Sequence, residues 1–205
     1  MKKLLLTAAI AVFGIIGTQA QDMKFGVKAG VNISNGAGDV EDADSKIGLH
    51  IGGFAEFMFS EKFAFQPELL YSMQGYKYEE SATFFGETVS VEEKIKLDYI
   101  NVPLIFKYYV TEGLAIEAGP QIGFLMSANY EYEASGGGES ESEDEDIKDA
   151  YKSIDYGLNV GVSYTLDMGV MFGARYYYGL ADIDDTSDDF DEKNSVIQVS
   201  VGYKF

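Results

Sequence analysis

The chain ends in the stretch SVIQVSVGYKF, residues Ser195–Phe205. Apolar side chains alternate in it with small or polar ones, which is the period of a β-strand with two unlike faces. Val199 and Val201 share the apolar face, whereas Gly202 and Lys204 share the other. The stretch therefore predicts a strand that has one apolar and one polar side and ends on an aromatic residue.

Seven earlier segments alternate in the same way, at residues 23–33, 47–59, 63–78, 95–110, 114–132, 154–166 and 170–180. Short connections at 60–62, 111–113 and 167–169 alternate with long ones, as in barrels of the bacterial outer membrane. The sequence thus predicts an all-β fold, an eight-stranded antiparallel up-and-down transmembrane β-barrel. Its even strand number predicts that both termini are periplasmic.

The N-terminal segment has the features of an export signal. Two lysines precede an apolar run at 4–16, and Thr18-Gln19-Ala20 supplies small residues at the positions that a signal peptidase reads. The apolar run is shorter than the ~20 residues that a membrane-spanning helix needs. Residues 1–20 are therefore predicted to be a cleaved signal peptide, and residues 21–205 the outer-membrane barrel domain.

Composition excludes several kinds of chemistry. The chain has no cysteine, which rules out disulfides and thiolate metal sites, and its formal charge of −19 disfavours nucleic acid as a partner. Most acidic residues fall at 39–44, 79–93, 131–149 and 182–192, between the alternating segments. These stretches are predicted to be acidic extracellular loops.

The two faces of the predicted strands differ in a way that favours lipid outside and side chains within. The polar face carries glycine, small polar residues and opposed charges, a mixture that suits a narrow lumen. Aromatic residues of the apolar face lie near strand ends, as in the girdles of membrane barrels. These are Phe57, Phe59, Phe65, Tyr108, Tyr164, Tyr203 and Phe205 near the short turns, and Tyr71, Tyr130, Tyr156 and Tyr178 toward the long loops.

Charged residues also occur on the inward parity. They are Lys28, Glu56, Glu68, Lys107, Glu117, Arg175 and Lys204. Buried charges are costly unless they are paired, so we expect a structural network of ion pairs across the lumen, with Arg175 bound to Glu68, Glu117 or Glu56. An ion pathway is the alternative, but side chains just fill the interior of an eight-stranded barrel.

Two possible chemical sites receive less support. His50, the single histidine, is expected to face inward near Ser72, where a hydrolase would need a carboxylate and an oxyanion hole as well. We expect ordinary lumen hydrogen bonds and no catalysis. The acidic loops offer oxygen ligands for divalent cations but do not fit an EF-hand. No specific metal or cofactor is predicted, and weak cation association near lipopolysaccharide is expected instead.

Five short motifs carry a family resemblance: FQPELLYS at 65–72, YINVPL at 99–104, GPQIG at 119–123, ARYYYGL at 174–180 and GYKF at 202–205. In order and spacing the chain resembles the outer membrane protein beta-barrel domain family. That family is related in architecture to OmpA-type and OmpX-type barrels and includes PorT-like proteins. The resemblance implies fold and location but no shared catalytic site. It also implies that Tyr203 and Phe205 form a signal for the barrel-assembly machinery.

Three functions remain open at this stage. The first is a structural or interaction protein whose acidic loops contact a surface or envelope protein, with lipid and lipopolysaccharide around the barrel. The second is a small channel or a component that assists secretion or transport. The third, a membrane-embedded hydrolase, depends on His50 alone.

Overall fold

The computed structural model describes residues 23–40, 42–84, 87–136, 139–187 and 190–205. The predicted signal peptide lies outside the described residues. The described part contains nine strands, and a 3₁₀ turn, Lys148–Ala150, lies between the sixth and seventh. The strands are β1 (Met23–Gly38), β2 (Asp44–Met58), β3 (Phe63–Phe84), β4 (Glu87–Tyr109), β5 (Leu114–Gly136), β6 (Glu139–Asp146), β7 (Ile154–Thr165), β8 (Val170–Gly179) and β9 (Glu192–Lys204).

Eight strands close into an antiparallel ring. Each pairs with its neighbours in chain order, β4 pairs with β5, and β9 returns to β1, with β6 left outside the ring. On the edge opposite β4, strand β5 pairs with two strands in turn. Residues 114–124 of β5 pair with β7, and residues 129–136 pair with β6. The predicted eight-stranded up-and-down barrel is confirmed.

The two ends of the barrel are unlike. Met23, which is the first described residue, Phe205 and three tight turns, at 59–62, 110–113 and 166–169, lie at one end, which we call the terminal end. Gly169 takes a φ of +89° in the last of these turns, a conformation that favours glycine. At the opposite, projecting end, β3, β4 and β5 continue well past the ring and pair with one another and with β6.

A band of exposed apolar side chains surrounds the ring. Val160, Ile116 and Val199 are 56%, 53% and 54% exposed, although they lie in the middle of paired strands. Inward neighbours are polar and buried, so the usual distribution of a soluble protein is reversed. On β9 this band runs from Ile197 to Phe205. Among the residues that the structure describes, no helix is long and apolar enough to cross a membrane.

Three prolines interrupt the strand ladders. Pro67, Pro103 and Pro120 lie on β3, β4 and β5, and one proline falls within a gap in the residue pairing at each of the boundaries β2–β3, β3–β4 and β4–β5. A further gap between β2 and β3, at residues 46–49, contains no proline. Proline lacks a backbone N–H and cannot donate to a ladder. The wall is therefore least regular across these three neighbouring boundaries.

Two of the four stretches that were predicted to be acidic loops are mostly strands instead. Residues 79–84 and 87–93 belong to the β3–β4 hairpin, and residues 131–136 and 139–146 to β5 and β6. Alternation of charge does not show a strand as clearly as alternation of apolar residues does. Ion pairs between glutamates and lysines on neighbouring strands help to stabilise these strands.

The predicted outward position of Tyr130 is also wrong. The β4–β5 register shifts between Asp98 and Tyr99, because β5 carries one extra residue there. This bulge reverses the faces of β5 beyond it, as bulges do. Tyr130 therefore lies opposite Ile95, on the side continuous with the lumen wall.

Candidate functional site

The ring brings all seven predicted lumen charges into one connected network. Arg175 on β8 donates to both carboxylate oxygens of Glu68 on β3, at 3.1 and 2.9 Å, and to Glu117 on β5 at 2.8 Å. Lys28 lies 2.6 Å from Glu68. The arrangement matches the planar guanidinium to a carboxylate in the two-pronged way that arginine favours.

The network continues toward the terminal end through Glu56. Its carboxylate lies 3.2 Å from Lys107 and 2.8 Å from Lys204, and it accepts a 2.7 Å hydrogen bond from Tyr109. Lys107 joins the two halves, because it also lies 3.3 Å from Glu117. Each side chain in the network is at most 10% exposed.

Small residues make room for this network. Gly161 on β7 pairs with Arg175, and a Cβ on Gly161 would lie 3.1 Å from the Arg175 Cβ. Glycine on the inward parity thus leaves space for long charged side chains in a barrel whose bore is narrow. The lumen here is filled by paired charges.

His50 lies in a polar layer beyond the ion pairs. Its ring nitrogens lie 2.8 Å from Asn32 Oδ1 and 2.8 Å from Ser200 Oγ. Ser72 lies opposite His50 on β3, as predicted, and accepts hydrogen bonds from Asn32 and from Gln74. A serine, a histidine and an asparagine in series recur in hydrolytic sites, yet all three are buried here among other side chains. Their contacts are those of a packed polar layer.

An apolar cap closes the lumen at the projecting end. The segments 147–153 and 180–187 pair with each other through Lys152 N–H to Ile183 O and Asp185 N–H to Ala150 O, at 2.8 and 2.9 Å. Their fully buried Ile183 and nearly buried Tyr151 pack on the inner wall. The buried residues of this cluster are Leu97, Tyr99, Leu125, Ala128, Tyr151 and Ile183.

Glu192 lies beneath this cap, outside the apolar band, and is 3% exposed. Tyr76 and Tyr151 hydrogen-bond to it, and Asp182 and Asp184 are its charged neighbours. Within the described ranges no lysine or arginine forms an ion pair with Glu192. Burial raises the pKa of Glu192 to about 7, and the two aspartates act in the same direction.

The sequence did not indicate the contacts of Asn32 and Ser200 with His50, or the cap. One signal of the cap was available, because Leu97 and Tyr99 place large apolar side chains on the inward parity of β4. The acidic stretches form no metal centre in the residues described, where no group of three or more Asp, Glu or His side chains is suitably placed for one.

A closed antiparallel ring with an apolar outer band and a charged, filled interior defines an integral membrane β-barrel. The family model of the outer membrane protein beta-barrel domain matches residues 19–185. The chain therefore belongs to the outer membrane protein beta-barrel domain family and is an outer-membrane protein.

Solved structures that are similar to this chain share little sequence with it. Neisserial surface protein A (NspA) is similar with a TM-score of 0.53 and 16% identity, over 90% of this chain and 100% of that one. Ail, the attachment invasion locus protein of Yersinia pestis, is similar with a TM-score of 0.49 and 14% identity over the same shares. A search of the curated proteins found no match.

Replacing Arg175 should destabilise the barrel. Arg175→Met leaves the buried carboxylates of Glu68 and Glu117 without their hydrogen bonds from Arg175. Removing one partner of a buried pair typically costs about 3–5 kcal/mol. Urea unfolding in liposomes should show a lower midpoint, and adding Glu117→Gln should recover part of the loss, because Lys28 still pairs with Glu68. A midpoint equal to that of the parent would show that Arg175 is hydrated.

The cap should loosen as the pH rises. The folded-state pKa of Glu192 lies above its ordinary value of 4.5, so its contribution to cap stability is present below pH 4.5 and is lost as the pH rises through about 7. The chain has no cysteine, so Ala181→Cys, at a buried position of the cap, can report opening through maleimide labelling.

Labelling should be normalised to Ser153→Cys, an exposed position whose rate reports only the thiol chemistry. The normalised rate at Ala181→Cys should increase between pH 5 and 8, and Glu192→Gln should remove that increase. An increase that persists in Glu192→Gln would assign the pH dependence to other groups.

Proposed function

We propose that this protein is a structural and interaction protein of the outer membrane, a plugged barrel that presents a strand-built surface outside the cell. One observation carries the proposal: the lumen is filled by ion pairs and capped, whereas β3, β4 and β5 continue past the apolar band and form a sheet there with β6. Binding residues are usually placed on such extensions of a rigid scaffold. No catalysis is assigned to it.

The orientation follows from the asymmetry of the two ends. Outer-membrane barrels have short periplasmic turns and longer extracellular extensions. The terminal end, with Met23 and Phe205, is therefore assigned to the periplasm and the projecting end to the outside. Cleavage of the signal peptide after Ala20 belongs to the same proposal, with lipid and lipopolysaccharide surrounding the band and an envelope or surface protein as the partner.

A channel or secretion-assisting component is the second candidate. It is favoured by a vestibule of about 640 Å³ at the terminal end, lined by Lys24, Glu56, Tyr109 and Lys204 among others. The vestibule reaches Glu56 and Tyr109, which belong to the buried network. The filled lumen beyond them is the reason to rank this candidate second.

Conductance in planar bilayers separates the two candidates. The parent barrel should show no resolvable single-channel current, because the ion pairs and the cap close the path. Discrete current steps in the parent, with a conductance that changes in Arg175→Met, would show that the channel is the correct candidate and the interaction role is not.

Shortening both projecting hairpins should remove the interaction and leave the barrel intact. One variant replaces residues 79–92 and 132–143 with short turns, which keeps the cap residues from 147 onward. Surface extensions add little to stability, so the shift in gel mobility between unheated and boiled samples should remain. Proteins cross-linked to the parent in native outer membranes should be absent from this variant, and their retention would contradict the role of the extensions.

Tyr203 and Phe205 are proposed to form the signal for the barrel-assembly machinery. Their rings stack at 6.4 Å between centroids, and Phe205 is 67% exposed at the end of β9. Deletion of Phe205 should lower the folded fraction in the outer membrane and increase degradation in the periplasm, while export continues. Unchanged assembly at low expression would argue against this signal.

A further inference from the structure

The projecting sheet, formed by residues 77–84 of β3, 87–96 of β4, 129–136 of β5 and β6, has two unlike faces. Directly paired residues share a face, and successive residues alternate. The central row of one face runs across all four strands as Tyr78, Glu93, Tyr132 and Glu143. We call the face with this row the inner face, since it continues the lumen wall, and the opposite one the outer face.

On the outer face three lysines pair with the four glutamates of β3, β4 and β5. Lys94 forms ion pairs with Glu92, Glu131 and Glu133, at 3.3, 3.2 and 3.4 Å. Lys96 also pairs with Glu131. On β3, Lys77 pairs with Glu79 and Glu92. Every strand boundary from β3 to β5 thus has opposite charges in contact on the outer face.

The inner face lacks such compensation. Among the residues whose side chains the structure describes, it carries five carboxylates, which are Glu80, Glu93, Glu141, Glu143 and Glu145. In the described part of the chain none of the five takes part in an ion pair. Tyr130 donates a hydrogen bond to Glu93, and burial, together with that carboxylate, raises the pKa of Tyr130. The positive charges of the sheet are therefore on its other side.

In the described part of the chain the carboxylates of the inner face form no group of three or more that could hold a metal ion. Glu93 on β4 and Glu143 on β6 are separated by one intervening strand, which places their backbones about 10 Å apart. A tyrosine stands between them in the row. Aromatic rings attract lysine and arginine cations, and the row therefore alternates two kinds of group that bind cations.

The neighbouring row toward the tip adds apolar surface. It contains Val91 and Ala134 between Glu80 on β3 and Glu141 on β6. A small polyamine would leave these apolar side chains uncovered. A protein segment that has both basic and apolar side chains would cover them and satisfy the carboxylates.

We propose that the inner face of the projecting sheet binds a lysine- and arginine-rich segment of another protein, with its cations over Tyr78 and Tyr132 and against Glu93 and Glu143. This assignment rests on the proposed interaction role and names the face and the partner chemistry for it. Basic residues spaced about two strand widths apart fit the alternation of the row.

The test uses the full barrel in phosphatidylcholine nanodiscs and a fluorescent peptide in which arginine alternates with leucine. Glu93→Gln with Glu143→Gln removes two inner-face charges. Glu92→Gln with Asp144→Asn removes two outer-face charges from the same two strands, one residue away, and is the matched control. Binding measured by fluorescence anisotropy should weaken at least tenfold in the inner pair and less than twofold in the outer pair.

Tyrosine variants test the second element of the row. Tyr132→Ala should weaken peptide binding several-fold, and Tyr132→Phe, which keeps the ring, should bind as the parent does. Equal losses in the inner and outer pairs would reduce the effect to net charge and overturn the inference. The inference would also be overturned if the peptide bound equally well to empty nanodiscs. Equal binding of the barrel to the same peptide with glutamine in place of each arginine would overturn it as well.

These outcomes are separable from failure of the proposed function. If the parent binds no basic peptide but loses its native cross-links when both hairpins are shortened, the interaction role stands and the basic partner is wrong. If the cross-links persist after shortening, the interaction role itself fails.

Discussion

The structure depends on one constraint, that a backbone N–H or C=O inside hydrocarbon must find its partner within the protein. A ring of strands meets this constraint only when it closes, and β9 pairing with β1 closes it. Beyond the apolar band the backbone lies outside hydrocarbon, so this constraint no longer applies. There β5 exchanges β7 for β6, and the sheet opens. Pro67, Pro103 and Pro120 each lie within a gap in the pairing of the wall.

Because only eight strands close the ring, the bore is narrow, and this limits which side chains can lie inside it. A bore that side chains fill cannot hold unpaired charges, and the three glutamates of the network each contact at least two cations. The barrel also changes character along its axis. Ion pairs occupy the terminal half, neutral hydrogen-bonding groups around His50 follow, and the apolar cap with Ile183 ends the series.

The sequence predicted those features that depend on local alternation. Strand parity identified the inward charges, including Arg175, and the three tight turns, because a period of two is preserved wherever a strand faces two environments. It could not place Tyr130, since one extra residue in β5 reverses every later side chain and leaves no local mark. The acidic strand β6 was missed because its partners lie on β5, and pairing across strands is not visible in a single stretch. The cap was missed because it joins segments 147–153 and 180–187, which are distant in sequence.

The switch of partners along β5 separates the height of the projecting sheet from the architecture of the ring. Adding residues in matched pairs to the tips of the β3–β4 and β5–β6 hairpins would leave each bond of the closed barrel in place. One added pair per hairpin would exchange the faces of everything above it, whereas two would restore them and raise the tip by about 7 Å. The distance that this surface reaches from the membrane can therefore change in evolution by even steps, without any repacking of the lumen.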